Sequence, residues 1–435
     1  MSLPPTEGNP SAPARPAAAA AQRKPPAAVA RAASTAPFRV GPTGLILIFG
    51  FLSAITPLSI DIYLPALPML RQALSADEAQ TVWTLSAFFV GFGIGQLFLG
   101  PLADRFGRKR PLLAGLVVYV ISSVGCALAT GISAIVFWRF LQAFGGAVVP
   151  TVVQAMVRDL YDRDQSARIL SLNMLVSASA PIIAPLIGGQ LLLWLDWRAI
   201  FWVLAAFGML SLVAALALPE TLARTHRNQA RPLAMLLGYF ALFRNRHYVG
   251  YIACSSFYFC CLFAFLAGSP FVYIEYFGVP PQYYGFLFGV NMIGMITTSY
   301  VNSRIVVQQG ADRILRVACA TGAAGSLVLL ATGMTGSGAL VGIAVPLFVV
   351  LSFMTVVSSN AISGALAVAR NRAGAGAALA GALQFGAGGL TSATLGWIAD
   401  GTPRPMVLII CGGAVAALIA NLLLVGKHDA REHDA

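Results

Sequence analysis

Gly100-Pro101-Leu102-Ala103-Asp104-Arg105-Phe106-Gly107-Arg108-Lys109 is a short charged loop between two long apolar runs, and its reading decides the fold. Two helices joined by so brief a link need glycine for a tight turn and close approach, which Gly100 and Gly107 supply. Asp104 can accept hydrogen bonds from a neighbouring helix N-terminus, where the dipole favours negative charge. Arg105, Arg108 and Lys109 hold the loop at a membrane surface. The runs on either side are near the ~20 residues that span a bilayer. Lipid offers no hydrogen bonds, so such segments are helices or closed barrels. The apolar residues are continuous rather than alternating, which selects helices. Composition agrees: 58% of the 435 residues are hydrophobic and 10% charged, with a mean hydropathy of +0.78. A soluble domain carries roughly 25% charged residues.

Outward from the loop, spans begin near Gly44, Thr81, Pro111, Ser133, Ile169 and Arg198. Six more begin near Tyr248, Gln282, Ile314, Ala339, Ala373 and Pro405. The expected fold is an all-α membrane protein of twelve transmembrane helices in two six-helix halves, residues 41–218 and 248–426, joined by a cytoplasmic linker loop, 219–247. Residues 1–40 read as a disordered Ala/Pro-rich tail without the pattern of a cleaved signal, and 427–435 as a second tail. With both tails in the cytoplasm, 24 of the 28 Lys and Arg residues lie in inside loops and tails. Only Arg71, Arg198 and Arg404 lie outside, and Arg139 sits within a helix. That asymmetry is the positive-inside pattern. The net charge of +12 thus reflects topology, and no nucleic acid partner is expected. The six cysteines lie in apolar stretches with no CxxC pair, and read as small helix residues rather than a disulfide framework or metal site. Leu102-Ala103-Asp104-Arg105 is echoed by Asn302-Ser303-Arg304 in the second half. Repeated halves with a site between them are a common plan for secondary transporters.

The ten-residue loop resembles the signature loop of the major facilitator superfamily. Four further stretches narrow the resemblance: Pro57 to Pro68 (PLSIDIYLPALP), Arg139 to Gly146 (RFLQAFGG), Ala180 to Gly189 (APIIAPLIGG) and Ser269 to Glu275 (SPFVYIE). Together they resemble the Bcr/CflA group of drug-resistance transporters over about residues 42 to 425. The resemblance implies a bacterial inner-membrane protein that exchanges drugs for protons, working as a monomer in the bilayer without a cofactor. It places a conformational-switch loop at Gly100, Asp104, Arg105, Gly107 and Arg108, and an antiporter motif at Pro181, Pro185, Gly188 and Gly189. Ala184 and Ala143 stand where those motifs usually carry Gly; both exchange small for small.

Physical chemistry singles out Asp61. An ionised Asp near the bilayer centre costs about 2.5–3.5 kcal/mol on insertion scales. Keeping an ordinary carboxyl protonated at neutral pH takes about 4 kcal/mol, at 1.36 per unit. The two are similar in size, so a carboxyl at this depth can load and unload a proton. Pro57 and Pro65 flank it by one turn, each freeing a backbone carbonyl. The competing reading is a structural Asp near the outer surface. Of the sixteen acidic residues only Asp61 and Glu275 fall within or at the edge of a span, and all four histidines fall in inside loops or the tail. Glu275 reads equally as a proton or substrate group and as an interfacial anchor. Arg139, Gln142, Gly146, Pro150 and Gln154 share one helical face. A buried Arg needs partners, so this stripe faces either a cavity or a polar neighbour. The candidate substrate cavity is Arg139, Gln142, Gln154, Tyr63 and Glu275.

The function these expectations favour is proton-coupled efflux of small, largely apolar molecules such as antibiotics. Proton-coupled uptake of a nutrient is the alternative, since physics alone does not fix direction. A membrane enzyme would need His, Cys or carboxylates clustered at one depth. The absence of a GxxxxGK[ST] sequence argues against ATP as the driving force.

Overall fold

A computed structural model describes residues 41–222, 242–369 and 373–425; the two expected tails and most of the linker lie outside these. Regular structure among the described residues is helical throughout. The first half holds α1 (Thr43–Ala73), α2 (Glu78–Phe106), α3 (Lys109–Leu128), α4 (Ile132–Leu160), α5 (Arg163–Leu191) and α6 (Arg198–Leu216). The second holds α7 (Arg246–Tyr276), α8 (Pro281–Gln309), α9 (Ala311–Thr335), α10 (Ala339–Val368), α11 (Ala373–Ile398) and α12 (Arg404–Val425). Ten of these are long and apolar enough to cross a membrane. The other two, α8 with 29 residues and α11 with 26, are long but less apolar. Polar residues such as Asn291, Thr297, Thr298 and Asn302 dilute α8, and α11 is rich in Gly and Ala.

Most helices start within three residues of the expected position, whereas α5 begins six residues earlier. The reason is a cap: Gln165 N donates to Asp162 Oδ1 at 2.9 Å, carrying the helix beyond its apolar part. A capping box of Asp77 and Gln80 likewise opens α2, and Asn245 caps α7. The expected bends in α1 are present. It is helical over Pro42–Ser53 and Ile55–Asp61, tightens to a 3₁₀ turn over Leu64–Ala66, and resumes over Leu67–Ala73. Proline at 57 and 65 removes the amide donors for the carbonyls of Ser53 and Asp61. Breaks also divide α4 at Ala147 and α10 at Phe353.

We call the face carrying the α2–α3 loop the inner face. The two halves meet where α2 lies along α11 and α5 crosses α8. At mid-height the seam is aromatic: Phe89 and Phe263 ring centroids are 4.1 Å apart, and Phe92 and Phe385 4.4 Å. Toward the outer face α5 and α8 come into backbone contact. A Cβ at Gly189 would lie 2.6 Å from the Pro281 carbonyl oxygen, and one at Gly285 2.7 Å from Leu186 N. Among the described residues a single hydrogen bond joins the halves: Arg71 Nη1 donates to Glu275 Oε2 at 2.5 Å, at the outer ends of α1 and α7. Toward the inner face, Gln154 and Arg158 of α4 and Ser359, Ser363 and Ala367 of α10 are exposed at four-residue spacing. The halves are thus in contact at the outer face.

Candidate functional site

The α2–α3 loop turns at Gly107, whose φ of 96° lies in the region that favours glycine. Asp104 pairs with the Arg108 guanidinium one turn away, and Arg108 Nε reaches Asp159 Oδ2 of α4 at 3.3 Å. The carboxylate at the N-terminus of α3 is Glu220, not Asp104. Its oxygens accept from Arg108 N at 2.8 Å and Lys109 N at 3.3 Å. Thr221 also donates to Asp159 at 2.9 Å. The start of the linker is thereby tied to α2, α3 and α4. The echo in the second half uses amides instead of charges: Asn360 Nδ2 donates to Asn302 Oδ1 at 3.0 Å, linking α10 to α8.

Asp61 and Arg139 are the only charged residues buried among those described, at 5% and 0% exposure. Arg139 lies inside the first half. Its Nη1 donates to the Ser59 carbonyl at 3.0 Å and to Gln142 Oε1 at 2.8 Å. Gln142 in turn donates to Ser123 at 2.7 Å, and Ser59 shares a hydrogen bond with the Tyr119 hydroxyl at 2.6 Å. The Nε and Nη2 donors have no hydrogen-bond acceptor among the described residues. Aromatic rings take their place: Phe88, Tyr63 and Phe201 have centroids 4.3, 4.7 and 5.9 Å from the guanidinium carbon. A desolvated cation–π contact is worth about 2 kcal/mol, so the nearer two offset much of a burial penalty of several kcal/mol. Tyr63 is itself fixed by a 2.9 Å bond to Thr84. Thus Arg139, Gln142 and Tyr63 form one enclosed polar and aromatic box. The lower stripe of α4 differs: Pro150 is half-buried, and Gln154 is exposed and bonded by Arg158 at 3.4 Å.

Asp61 is not part of that box. It ends the second segment of α1, and no residue hydrogen-bonds its carboxyl among those described. α1 runs on for twelve residues beyond it, to Ala73. The next residue shows the level: a Cβ at Gly188 would stand 2.2 Å from the Ile62 carbonyl oxygen, and Gly188 is three residues from the end of α5. The antiporter-motif glycines therefore have distinct neighbours, Gly188 meeting α1 and Gly189 meeting α8. Pro185 and Ala184 are buried beside them, while Pro181 is half-buried. Glu275 lies above, in a π-helical turn over Phe271–Tyr276, paired with Arg71. A surface depression of about 740 Å³ opens there, lined by Pro68, Arg71, Gln72, Ser75, Ala76, Ile274 and Glu275.

Comparison with known proteins agrees with this architecture. Residues 49–392 match the model of the Major Facilitator Superfamily. A bicyclomycin resistance protein homolog of Haemophilus influenzae is 32% identical over 88% of this chain and 96% of its own. A chloramphenicol resistance protein of Pseudomonas aeruginosa is 30% identical over 74% of this chain and 76% of its own. The solved D-xylose–proton symporter shares the fold, with a TM-score of 0.71 at 16% identity over 87% of this chain and 97% of its own. The chain belongs to the major facilitator superfamily, and within it to the Bcr/CflA group of drug-resistance transporters.

Proposed function

We propose that this chain is a proton-coupled exporter of small, largely apolar molecules, antibiotics among them, across the bacterial inner membrane. It works as a monomer with twelve spans and both termini in the cytoplasm. The observation that carries the reading is Asp61, the one buried acidic side chain among the described residues. Among those residues it has no ion-pair partner, and it sits where α1, α5 and α8 converge. A carboxyl so placed changes charge at a cost set by its surroundings, and those surroundings change when the halves separate. In the inward-open state cargo enters between α4 and α10. Proton loss from Asp61 toward the inner face precedes or accompanies cargo binding. After the halves rock, cargo leaves outward and Asp61 is reloaded from the outer face. Resistance relatives support export as the direction. Cells expressing the protein should accumulate less ethidium or chloramphenicol than controls, and a protonophore should remove the difference. Unchanged accumulation of a broad drug panel would remove the export reading.

Topology has its own test. Alkaline phosphatase fused after Gly131 or Gly278 is expected to be active, and fused after Arg108 or Arg227 inactive. The reverse pattern would invert the orientation.

The Arg71–Glu275 pair acts in this scheme as the outer latch rather than as a cargo contact. Its partners are 34% and 26% exposed, so it contributes about 1 kcal/mol or less. Glu275→Gln is therefore expected to shift the balance toward the outward-open state by roughly fivefold at most. The readout is labelling of Gln72→Cys by an impermeant thiol reagent. If labelling is unchanged, the pair is no latch.

A further inference from the structure

The contact line between α1 and α5 carries a buried polar side chain that the exchange scheme leaves unused. Asn173 lies on α5 ten residues from the helix start at Arg163, on the inner side of Asp61. Its neighbours Met174 and Leu175 are 69% and 64% exposed, whereas Asn173 is 6% exposed. The amide is thus turned into the protein while apolar side chains face out. A Cβ at Gly50 of α1 would lie 3.8 Å from Asn173 Oδ1, so the amide faces α1. Neither Oδ1 nor Nδ2 has a hydrogen-bond partner among the described residues. Leaving such a group unpaired is costly. Ordered water is the usual partner of a buried polar group that no side chain reaches.

The same line continues toward Asp61. One turn on, the Ser177 hydroxyl donates to the Ser53 carbonyl of α1 at 3.4 Å. That carbonyl has lost its helical donor to Pro57. Pro181 and Pro185 likewise remove the amide donors for the carbonyls of Ser177 and Pro181 on α5. From the level of Ser53 to Asp61 the rise is about 12 Å, the span of roughly four hydrogen-bonded waters. Beside Asp61 the line is sealed, because Gly188 meets the Ile62 carbonyl and Gly189 meets Pro281.

We infer that Asn173 holds ordered water between α1 and α5, and that this water is the route by which Asp61 exchanges its proton with the inner side. This rests on the reading of Asp61 as the coupling carboxyl. Asn173 is a positioning residue here: its amide offers water two donors and an acceptor and keeps no proton of its own. The Ser177 hydroxyl and the carbonyls of Ser53, Ser177 and Pro181 supply further sites. Asp61 gives its proton to the nearest water, and the file delivers one to bulk water at the inner end. Only Asp61 changes charge. No other acidic side chain is buried among the described residues to act as an intermediate carrier.

The test follows the Asp61 carboxyl in time and needs no cargo. In full-length protein in lipid nanodiscs, photolysis of a caged proton lowers the pH. The rise of the Asp61 carboxyl infrared band, defined by difference from Asp61→Asn, gives its protonation rate. Asn173→Leu is expected to slow that rate about tenfold, the equivalent of one lost hydrogen bond in the path, with the titration midpoint of Asp61 in place. Asn173→Ser keeps a polar group with room for water, and is expected to stay within about twofold of wild type. Ser177→Ala is expected to slow the rate by less than Asn173→Leu. Ser179→Ala, on another face of α5, should leave it unchanged. An unchanged rate in Asn173→Leu overturns the inference, as does a slowing matched by an equal shift of the midpoint. Equal slowing in Asn173→Ser or Ser179→Ala overturns it too. If Asn173→Leu fails to fold, Ser177→Ala decides, and an unchanged rate there overturns the route. A wild-type band that does not respond to the jump has the same consequence. Persistent proton-driven efflux in Asp61→Asn would instead remove the coupling reading, while the protonation rate still decides the route.

Discussion

Asp61→Asn is expected to abolish proton-driven efflux, to below one part in ten of wild type, while the protein still folds and inserts. An amide cannot release a proton, yet it matches the carboxyl in size and carries less burial penalty than an ionised Asp. Asp61→Glu keeps a titratable group and changes only its reach. It faces backbone contacts around Ile62 and Gly188 that leave little room, so a partial activity is expected. Everted vesicles energised by a proton gradient, with ethidium as the reporter, give both numbers. Exchange of dye down its own gradient should survive in Asp61→Asn, because it needs the moving helices and not the proton. Loss of that exchange as well would assign Asp61 to the moving parts.

The second large effect is expected at Arg139, and from a substitution that preserves charge. Arg139→Lys should lower efflux by tenfold or more. The guanidinium donates to both the Ser59 carbonyl and Gln142 while its plane meets Phe88 and Tyr63. A lysine ammonium is compact and strongly hydrated, and reproduces neither the fork nor the stacking. Arg139→Met retains most of the bulk and removes the buried charge, so its thermal stability should equal or exceed that of Arg139→Lys. Melting temperature and efflux, measured on both variants, separate a packing role from an electrostatic one. Full efflux in Arg139→Met would show that the charge is dispensable.

Much of this was legible in the sequence for identifiable reasons. Apolar runs and basic loops are local signals, so the helices were readable to within a turn, and Pro57 and Pro65 gave the bends of α1. Helix starts beyond the apolar region depended on caps, and Asp162 extended α5 where hydropathy could not. Arg139 was recognisable as a buried charge, but its partners were not, because Tyr63, Phe88 and Phe201 come from three other helices. The network around Asp104 was half visible. Its pairing with Arg108 is one helical turn, whereas Glu220 sits more than a hundred residues away in a stretch read as linker. Asp61 stands out by its chemistry, whereas its packing against α5 is not legible, since the approach of Gly188 to Ile62 joins residues more than a hundred positions apart. Glu275 could not be assigned from sequence, because its partner Arg71 belongs to the other half of the molecule.

Coupling of export through the Asp61 proton requires that drug binding release protons. Purified protein in weakly buffered detergent solution is mixed with chloramphenicol or ethidium while the pH is recorded. Wild type is expected to release protons on binding, and Asp61→Asn to bind and release none. Release of wild-type size from Asp61→Asn would contradict the account and move the coupling role to another group.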